Sequence, residues 1–481
     1  MLEKELEELV GKVQSFNSEF SNLEVKEAHM DCPKKLYDTI SAFSNNTGGG
    51  VLLFGLKEAA DFEVVGVYDA ADLQKKITAQ CKQMQPIVRA VFTCCRIGRK
   101  TVVAAEIPEI DIADKPCFYT GKGRLTGSYI RVGDSDEQMT EYEVYSYDAF
   151  RKKYQDDIRT VERLSFSMLD KNKLDQYTIA LKNRKTKLAM VPTEEIYELM
   201  GIVRGGVPTL TGMLMFGKYP QGYFPQLCIT AVVVPGIELG ETGSVGERFI
   251  DNKRIDGTLP EMLEDAVRFV YKNITVKTII NQKTGERRDR TEYPLEAIRE
   301  IVLNALIHRD YSIHTEGMPI QLLLFKNRLE IKSPGGLYGR FKINNIGKVQ
   351  PDTRNPVLAT MMEDLGLTEN RYSGIPTIYR TMKAFGLKEP TFTDVRGCFS
   401  VTLYNDLNLL AESKIDGNAG RDLLLFCREP RSRAEIAQQL GLKTSYHAMQ
   451  KYILPLLDAG KLVMTMPDKP KSRYQKFVIN D

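Results

Sequence analysis

No C-x-x-C pair occurs in the 481-residue sequence; its eight cysteines, Cys32, Cys81, Cys94, Cys95, Cys117, Cys228, Cys398 and Cys427, are scattered. That spacing argues against a zinc ribbon and against the disulfide framework of a small secreted domain, and predicts reduced thiols in a cytoplasmic protein. Long apolar runs are lacking too. The longest, around Leu227 to Val234, falls far short of the ~20 residues that cross a bilayer. The opening MLEKELEELVGKVQS is acidic and amphipathic where a secretory signal is basic and then apolar, so neither secretion nor membrane anchoring is expected. No G-x4-G-K-[ST] phosphate loop is present, which argues against helicase motors built on one. Repeats and long low-complexity segments are missing, so the whole chain reads as ordered.

Neither sign of charge predominates, with 66 Lys and Arg against 63 Asp and Glu, and a net +3 is no argument for a polyanionic partner. Its distribution says more. From Ile415 onward eleven Lys and Arg face seven Asp and Glu, giving +4, while the rest of the chain sums to about zero. A footprint for phosphate is therefore expected at the C-terminal end. With 42% apolar residues the chain can bury several cores, and three or four domains of roughly 100 to 150 residues follow. The predicted divisions of this α+β multidomain chain are 1–150, 151–290, 291–405 and 416–481. Residues 2–17 carry a helical pattern, and a charged helical stretch from Glu141 to about Asp175 reads as a connector. LTGMLMFG and QLCITAVVV read as strands, LPEMLEDAVRFVYKNI as a helix, QKTGERRDRTE as a polar loop or lid, and NDLNLLAESKIDGNAG as a linker.

Chemistry-bearing motifs begin with Glu19-Phe-Ser-Asn-Leu-Glu24-Val-Lys26, continue in TISAFSNNTGGGVLLFGLKE and return in KPCFYTGKGRLTGSYIRVGDSD. ISAFSN, Gly48-Gly49-Gly50 and VLLFG read as a helix leaving through glycines, which tolerate the positive φ of a tight exit, into a buried strand. The backbone there can approach a phosphate closely. Together these separated segments resemble the AlbA_2 domain of Schlafen proteins and of many bacterial regulators. The resemblance implies nucleic-acid association and, in Schlafen relatives, RNA cleavage by a carboxylate cluster with Mg2+ or Mn2+. Glu19 and Glu24 carry the E-x4-E spacing; Glu58 is the positional candidate for the third carboxylate, with Asp61 its rival. Hard oxygens of this kind hold such a metal, which polarises a phosphodiester and lowers the pKa of an attacking water. Lys26 and Arg131 are the candidate phosphate contacts. The blander readings are a solvated charged face for the Glu and Lys residues, and for Tyr129 to Gly133 a β-hairpin with Gly121 and Gly123 at its turn.

Pro294 to Tyr311 reads as a helix with proline at its first turn. Leu295, Ile298, Val302 and Ala305 form an apolar stripe, and Glu300 and Asn304, four apart, point together to the other side. IQLLLFKNRLEIKSPGGL and RNPVLATMMEDLGLTENRYSGI follow, and with them the region resembles the divergent ATPase-like domain, of the gyrase and histidine-kinase type, found beside AlbA_2 in bacterial RecG-like proteins and regulators. The resemblance implies an α/β sandwich that binds ATP with Mg2+: Asn304 as metal ligand, Glu300 orienting water, and Gly335, Gly336, Ser373 and Gly374 giving backbone N–H groups to phosphates. Ser333-Pro334-Gly335-Gly336 stands where those ATPases carry the Asp that reads the adenine amino group. A degenerate fold kept as a scaffold or dimer interface is the alternative. His308 and Arg309 at the helix end are explained by the helix dipole alone.

At the C-terminus Ser432-Arg-Ala-Glu435 is a capping box, a second helix runs from Tyr446 to about Asp458, and KLVMTMPDKPKSRYQKFVIN fits two strands around a basic turn. The order resembles a winged helix-turn-helix, which implies Tyr446, His447, Gln450 and Lys451 near base edges or phosphates and Lys469, Lys471, Arg473 and Lys476 on the backbone from the wing. The combined resemblance implies a nucleic-acid-binding transcriptional regulator, DNA favoured over RNA, that binds ATP and can form homo-oligomers. The rivals are a metal-dependent ribonuclease, as in defence against phage, and an interaction scaffold with no ligand.

Overall fold

The structure is a computed structural model, and it describes residues 1–243, 245–280, 287–349, 352–368, 373–395, 397–405, 423, 426–440, 448–458, 462–466 and 475–479. Helix α1 (Glu3–Phe16) buries Leu6, Val10 and Val13, one residue per turn on one stripe. Beside it stands a sheet of β1 (Leu23–Lys26), β2 (Gly50–Phe54), β3 (Val91–Ile97) and β4 (Lys100–Ile107), in the order β1-β2-β4-β3. Only β1 and β2 run parallel. Side chains alternate across it. Leu53, Val102 and Ala104 pack on α1. Leu52, Phe54, Val103 and Ala105 face the other way, onto Ile40 and Phe43 of α2 (Tyr37–Asn45) and Leu73 and Ile77 of α3 (Ala70–Cys81). The sheet is thus covered on both faces. Chain exit from α2 into β2 runs through Gly48 and Gly49 at φ +82° and +73°, and a side chain on Gly49 would collide with the Ile107 carbonyl. Next come β5 (Tyr129–Val132) and β6 (Ser135–Gln138), an antiparallel pair turning at Gly133 and not at Gly121 and Gly123. Buried Asn45 holds this hairpin to α2 by donating to the Tyr129 carbonyl at 3.0 Å.

The charged connector is broken: α4 (Glu141–Lys152) opens on a Thr140–Glu143 capping box, and α5 (Lys171–Arg184) follows two short 3-10 turns. The segment LTGMLMFG, expected as a strand, forms helix α6 (Leu210–Phe216), all seven residues buried. Then follow β7 (Ile229–Val233), β8 (Asp251–Ile255), α7 (Leu259–Asn273), β9 (Val276–Ile280) and β10 (Arg287–Thr291). The last two pair antiparallel, so about half of the polar segment expected as a loop is a strand; residues 282–286 of it lie outside the described residues. Helix α8 (Leu295–His308), β11 (Ile320–Leu324), β12 (Arg328–Pro334), α9 (Pro356–Asp364), α10 (Gly374–Ala384), β13 (Thr391–Val395) and β14 (Cys398–Tyr404) complete this part. Its six-stranded sheet has the order β8-β7-β11-β12-β14-β13, with only β7 and β11 parallel. Strands from either side of residue 290 share this sheet, and one core joins Leu174, Leu214 and Leu263 to Ile298, Leu322 and Val401. Leu295, expected in the apolar stripe of α8, is 42% exposed in the first turn, while Ile301 and Leu306 are buried instead.

At the C-terminal end β15 (Arg431–Ser432), β16 (Leu462–Met464) and β17 (Lys476–Ile479) form a sheet ordered β15-β17-β16. Ser432 and Glu435 cap α11 (Arg433–Gln439) reciprocally, as the sequence predicts. A π-helical turn, Met449–Ile453, leads into α12 (Leu454–Asp458), and Ile436, Ile453, Leu462 and Phe477 form a small core. Among the described residues no helix is long and apolar enough to cross a membrane.

Candidate functional site

A cavity of about 670 Å3 lies between α8, the start of α10, strands β12 and β14, and residues drawn from 335–349 and 352–354. All six residues predicted to hold a cofactor, Glu300, Asn304, Gly335, Gly336, Ser373 and Gly374, line it. Local physics explains the gathering. Ala297, Ile298, Ile301 and Ala305 anchor α8 in the core, which turns Glu300 and Asn304 to the cavity. Gly374 opens α10 against them: an added Cβ would sit 2.6 Å from Glu300 Oε2 and 3.3 Å from Asn304 Nδ2. The Asn304 amide nitrogen is buried with no hydrogen-bond partner. In the first turn of α10 Pro376 has no N–H and Thr377 donates to the Ser373 carbonyl at 2.8 Å, so Gly374 and Ile375 are the first-turn residues whose N–H groups have no acceptor within the helix.

The opposite wall bends at Gly335, whose φ of +100° and distance of 2.6 Å from a would-be Cβ to Asp310 Cβ admit only glycine. Its N–H donates to the Gly397 carbonyl at 2.7 Å and is spent, so of the two wall glycines Gly336 is the one left to serve a phosphate. Ser333, in the place of the adenine-reading Asp, lines the cavity and donates its hydroxyl to the Ala305 carbonyl at 3.2 Å. Two residues that the sequence reading passed over also line the wall, Asp352 and Arg354. Buried Arg354 pairs with Asp310 at 2.5 Å and donates to the Gly336 carbonyl at 3.1 Å. Burial pushes the Asp310 carboxyl up, but Arg354 and Tyr142 outweigh it and hold the carboxyl below its usual range. His308 is exposed where it opens on the cavity, and the protein packed near it and the Arg354 charge push its imidazole down from its usual value. Arg309 is buried, its guanidinium donating to the Thr315 carbonyl at 2.8 Å, so packing and not only the helix dipole fixes it.

In the N-terminal domain Glu19 and Glu24 flank the start of β1, and Glu58 begins the 3-10 turn after β2. Burial raises the Glu19 carboxyl, its bond from the Val25 N–H at 2.7 Å opposes this, and Glu24 and Glu58 lie near enough to raise it further. Proximity has not made a metal cage. Glu24 is bound by Lys26 at 2.5 Å and Arg131 at 3.0 Å, and among the described residues no three Asp, Glu, His or Cys side chains are placed to hold an ion together. Arg131, expected as a phosphate contact, is buried between Glu24 and Asp136, at 2.8 Å from the latter; two carboxylates already satisfy the charge. Lys26 stays half-exposed.

Residues 19–140 match the family Schlafen, AlbA_2, and residues 317–403 match the family HATPase_c_4, "Putative ATP-dependent DNA helicase recG C-terminal". The chain carries a Schlafen AlbA_2 domain and a RecG-related ATPase-like domain. Between and after them, residues 147–230 match a domain of unknown function, DUF8451, and residues 421–480 match the C-terminal domain of Fic-like proteins, named for filamentation induced by cAMP. Among solved structures the chain is similar to the DIP2311 protein of Corynebacterium diphtheriae, at 18% identity over 99% of this chain and 97% of that one, with a TM-score of 0.41. It is also similar to the N-terminal domain of a RecG-related protein from Nitrosomonas europaea, at 26% identity over 28% of this chain and 93% of that one, with a TM-score of 0.23. No curated protein matches it. AlbA_2 and RecG-related domains together make this a nucleic-acid-related protein.

Of the nucleic-acid contacts predicted in the C-terminal domain, Tyr446, His447, Lys469, Lys471 and Arg473 lie outside the described residues, while Lys476 is exposed at the start of β17. Gln450 and Lys451 fall in the π-helical turn, their side chains outside the described set.

Proposed function

We propose that this AlbA_2 protein is a nucleic-acid-binding regulator that takes ATP with Mg2+ in the cavity of its ATPase-like domain. The observation that carries the reading is Asn304, whose amide nitrogen is buried without a hydrogen-bond partner beside Glu300 and the N-terminus of α10, in a cavity of the size that small-molecule sites have. Leaving that amide unpaired costs on the order of 1–3 kcal/mol, which a ligand oxygen or a metal-bound water would recover. Asn304 and Glu300 would hold the Mg2+-bearing phosphates; Gly336, Ser373 and Gly374 would give them N–H groups, and Ser333 would accept from the base. When bound, ATP supplies charge and a hydrolysable phosphoanhydride. Glu300 would orient water for its hydrolysis. Duplex DNA is the favoured nucleic acid, supported by the +4 charge of the C-terminal region. In that domain Tyr446, Gln450 and Lys451 would serve the second helix and Lys469, Lys471 and Arg473 the wing.

The test is a titration of a fluorescent ATP analogue with Mg2+ into the protein and into Asn304→Ala. Saturation by the first, and affinity roughly tenfold lower in the second, is expected, as for loss of one charge-assisted contact. No saturation by either protein would sink the nucleotide reading.

A further inference from the structure

The glycine-rich wall of the cavity is thin, and residues from the N-terminal half hold it from behind. Gly335, Gly336, Leu337, Tyr338 and Phe341 face the cavity. Behind them the Tyr142 hydroxyl of α4 donates to Asp310 at 2.6 Å, on the oxygen that Arg354 also grips while reaching the Gly336 carbonyl. The Tyr142 ring also covers Gly397, where a side chain would collide with it, and Gly397 is the residue whose carbonyl takes the Gly335 N–H. Further along, Tyr338 donates to the Ala149 carbonyl at 3.4 Å and meets the Phe150 ring edge-on at 5.5 Å. Lys342 then pairs with Glu109 at 2.7 Å. Glu109 is half-buried and accepts on its other oxygen from the Gly48 N–H at 2.9 Å, the glycine turn of the AlbA_2 domain, with buried Lys115 at 3.0 Å as its third donor. Tyr142, Ala149, Phe150, Glu109 and Gly48 all lie outside residues 317–403, the part matched by the RecG-related family.

We infer that the cavity and the AlbA_2 glycine turn are linked through Lys342, Glu109 and Gly48, with Tyr142 a positioning residue for the cavity wall. The inference rests on the nucleotide reading of the cavity. A wall with two adjacent glycines, one at φ +100°, has little stiffness of its own, so its shape is set by what grips it from outside. A ligand that orders it from within tightens the same contacts, and by reciprocity whatever tightens the contacts favours the ligand. A polyanion that draws Lys342 or the Gly48 turn away from Glu109 would loosen the wall. Nucleic acid at the AlbA_2 domain and nucleotide in the cavity then report to each other through one carboxylate.

The experiment uses the full chain and its Lys342→Gln, Tyr142→Phe, Glu109→Gln and Glu109→Gln/Lys342→Gln variants. Each is titrated with a fluorescent ATP analogue and Mg2+ and followed by amide hydrogen exchange. Lys342→Gln, which leaves Glu109 with Lys115 and Gly48, is expected to weaken binding roughly three- to fivefold, the range of one partly buried ion pair, and Tyr142→Phe to do the same. The double variant binds no more weakly than Glu109→Gln alone, because Lys342 acts through Glu109. In the wild type the nucleotide slows exchange at Gly48; in Lys342→Gln that effect is lost, and residues 335–342 exchange faster while β1 and β2 do not. Equal nucleotide affinity in wild type and Lys342→Gln overturns the linkage but leaves the cavity a nucleotide site. Exchange of residues 335–342 that is the same in all variants overturns the clamp, even if the wild type takes no nucleotide, a result that would by itself end the cavity's nucleotide reading.

Discussion

Glu109 shows how one side chain sets a pH dependence. Burial pushes its carboxyl up, but the Gly48 N–H, Lys342 and Lys115 outweigh that and hold it at about 2 against an ordinary value of 4.5. With the folded value depressed, the stability it contributes is fully present above about pH 4.5 and is lost as pH falls toward 2. Glu19 works in the opposite sense, since burial and its acidic neighbours raise its carboxyl. Unfolding by urea from pH 7 to pH 3 is therefore expected to show wild type more stable than Glu109→Gln at neutral pH, with the gap closing as acid is added. A gap that stays constant would mean that the charge of Glu109 contributes nothing. At this scale the sequence was legible where partners are local: Glu300 and Asn304 share a helix face at a spacing of four. It was silent where partners are distant, as with Glu109 and Lys342, 233 residues apart, or Arg131, whose two carboxylates turn an expected phosphate contact into an internal ion pair.

Helix α6 marks the corresponding limit for elements. Leu210–Phe216 has every residue buried, so neither a period of two nor one of 3.6 survives, and a short apolar run cannot be told from a strand by pattern. The signal that could have decided it was Thr209. Its hydroxyl accepts from the Gly212 N–H at 3.0 Å, an N-cap, and donates to the Gly201 carbonyl at 2.6 Å. Because Thr209 is fully buried, Thr209→Ala loses the cap and leaves a buried carbonyl short of a donor, so a loss of about 1–3 kcal/mol in urea unfolding is expected. Thr209→Ser keeps the hydroxyl and should recover most of that. Equal losses in the two variants would assign the effect to the missing methyl group and not to the cap. By contrast the exit from α2, read from Gly48-Gly49-Gly50, was legible because only glycine meets its backbone demand, and a chemical necessity of that kind survives without any knowledge of the partners.

The six-stranded sheet carries the last step, since it joins stretches that the sequence divides at residue 290. The polar segment QKTGERRDRTE suggested that division, but a parallel strand pair needs a long crossover between its members, and here that crossover contains α7, the ribbon of β9 and β10, and α8. The polar segment is therefore part of a connection inside one sheet. A fragment beginning at residue 291 would lack β7, β8 and α7, leaving β11 with an unpaired edge and baring core residues such as Leu322 and Ile298. It is expected to show no cooperative urea transition and to bind a hydrophobic dye, the signs of a collapsed chain without fixed packing. A fragment of residues 151–405 keeps the whole sheet and its core, and should unfold cooperatively even though the cavity wall has lost Tyr142 and Glu109 behind it. Cooperative unfolding without dye binding in the shorter fragment would show that the ATPase-like part closes its own core and that β7 and β8 merely lean on it. Failure of both fragments would extend the cooperative unit into the AlbA_2 domain, the outcome that would make the clamp at Lys342 and Glu109 a structural interface as well as a link between sites.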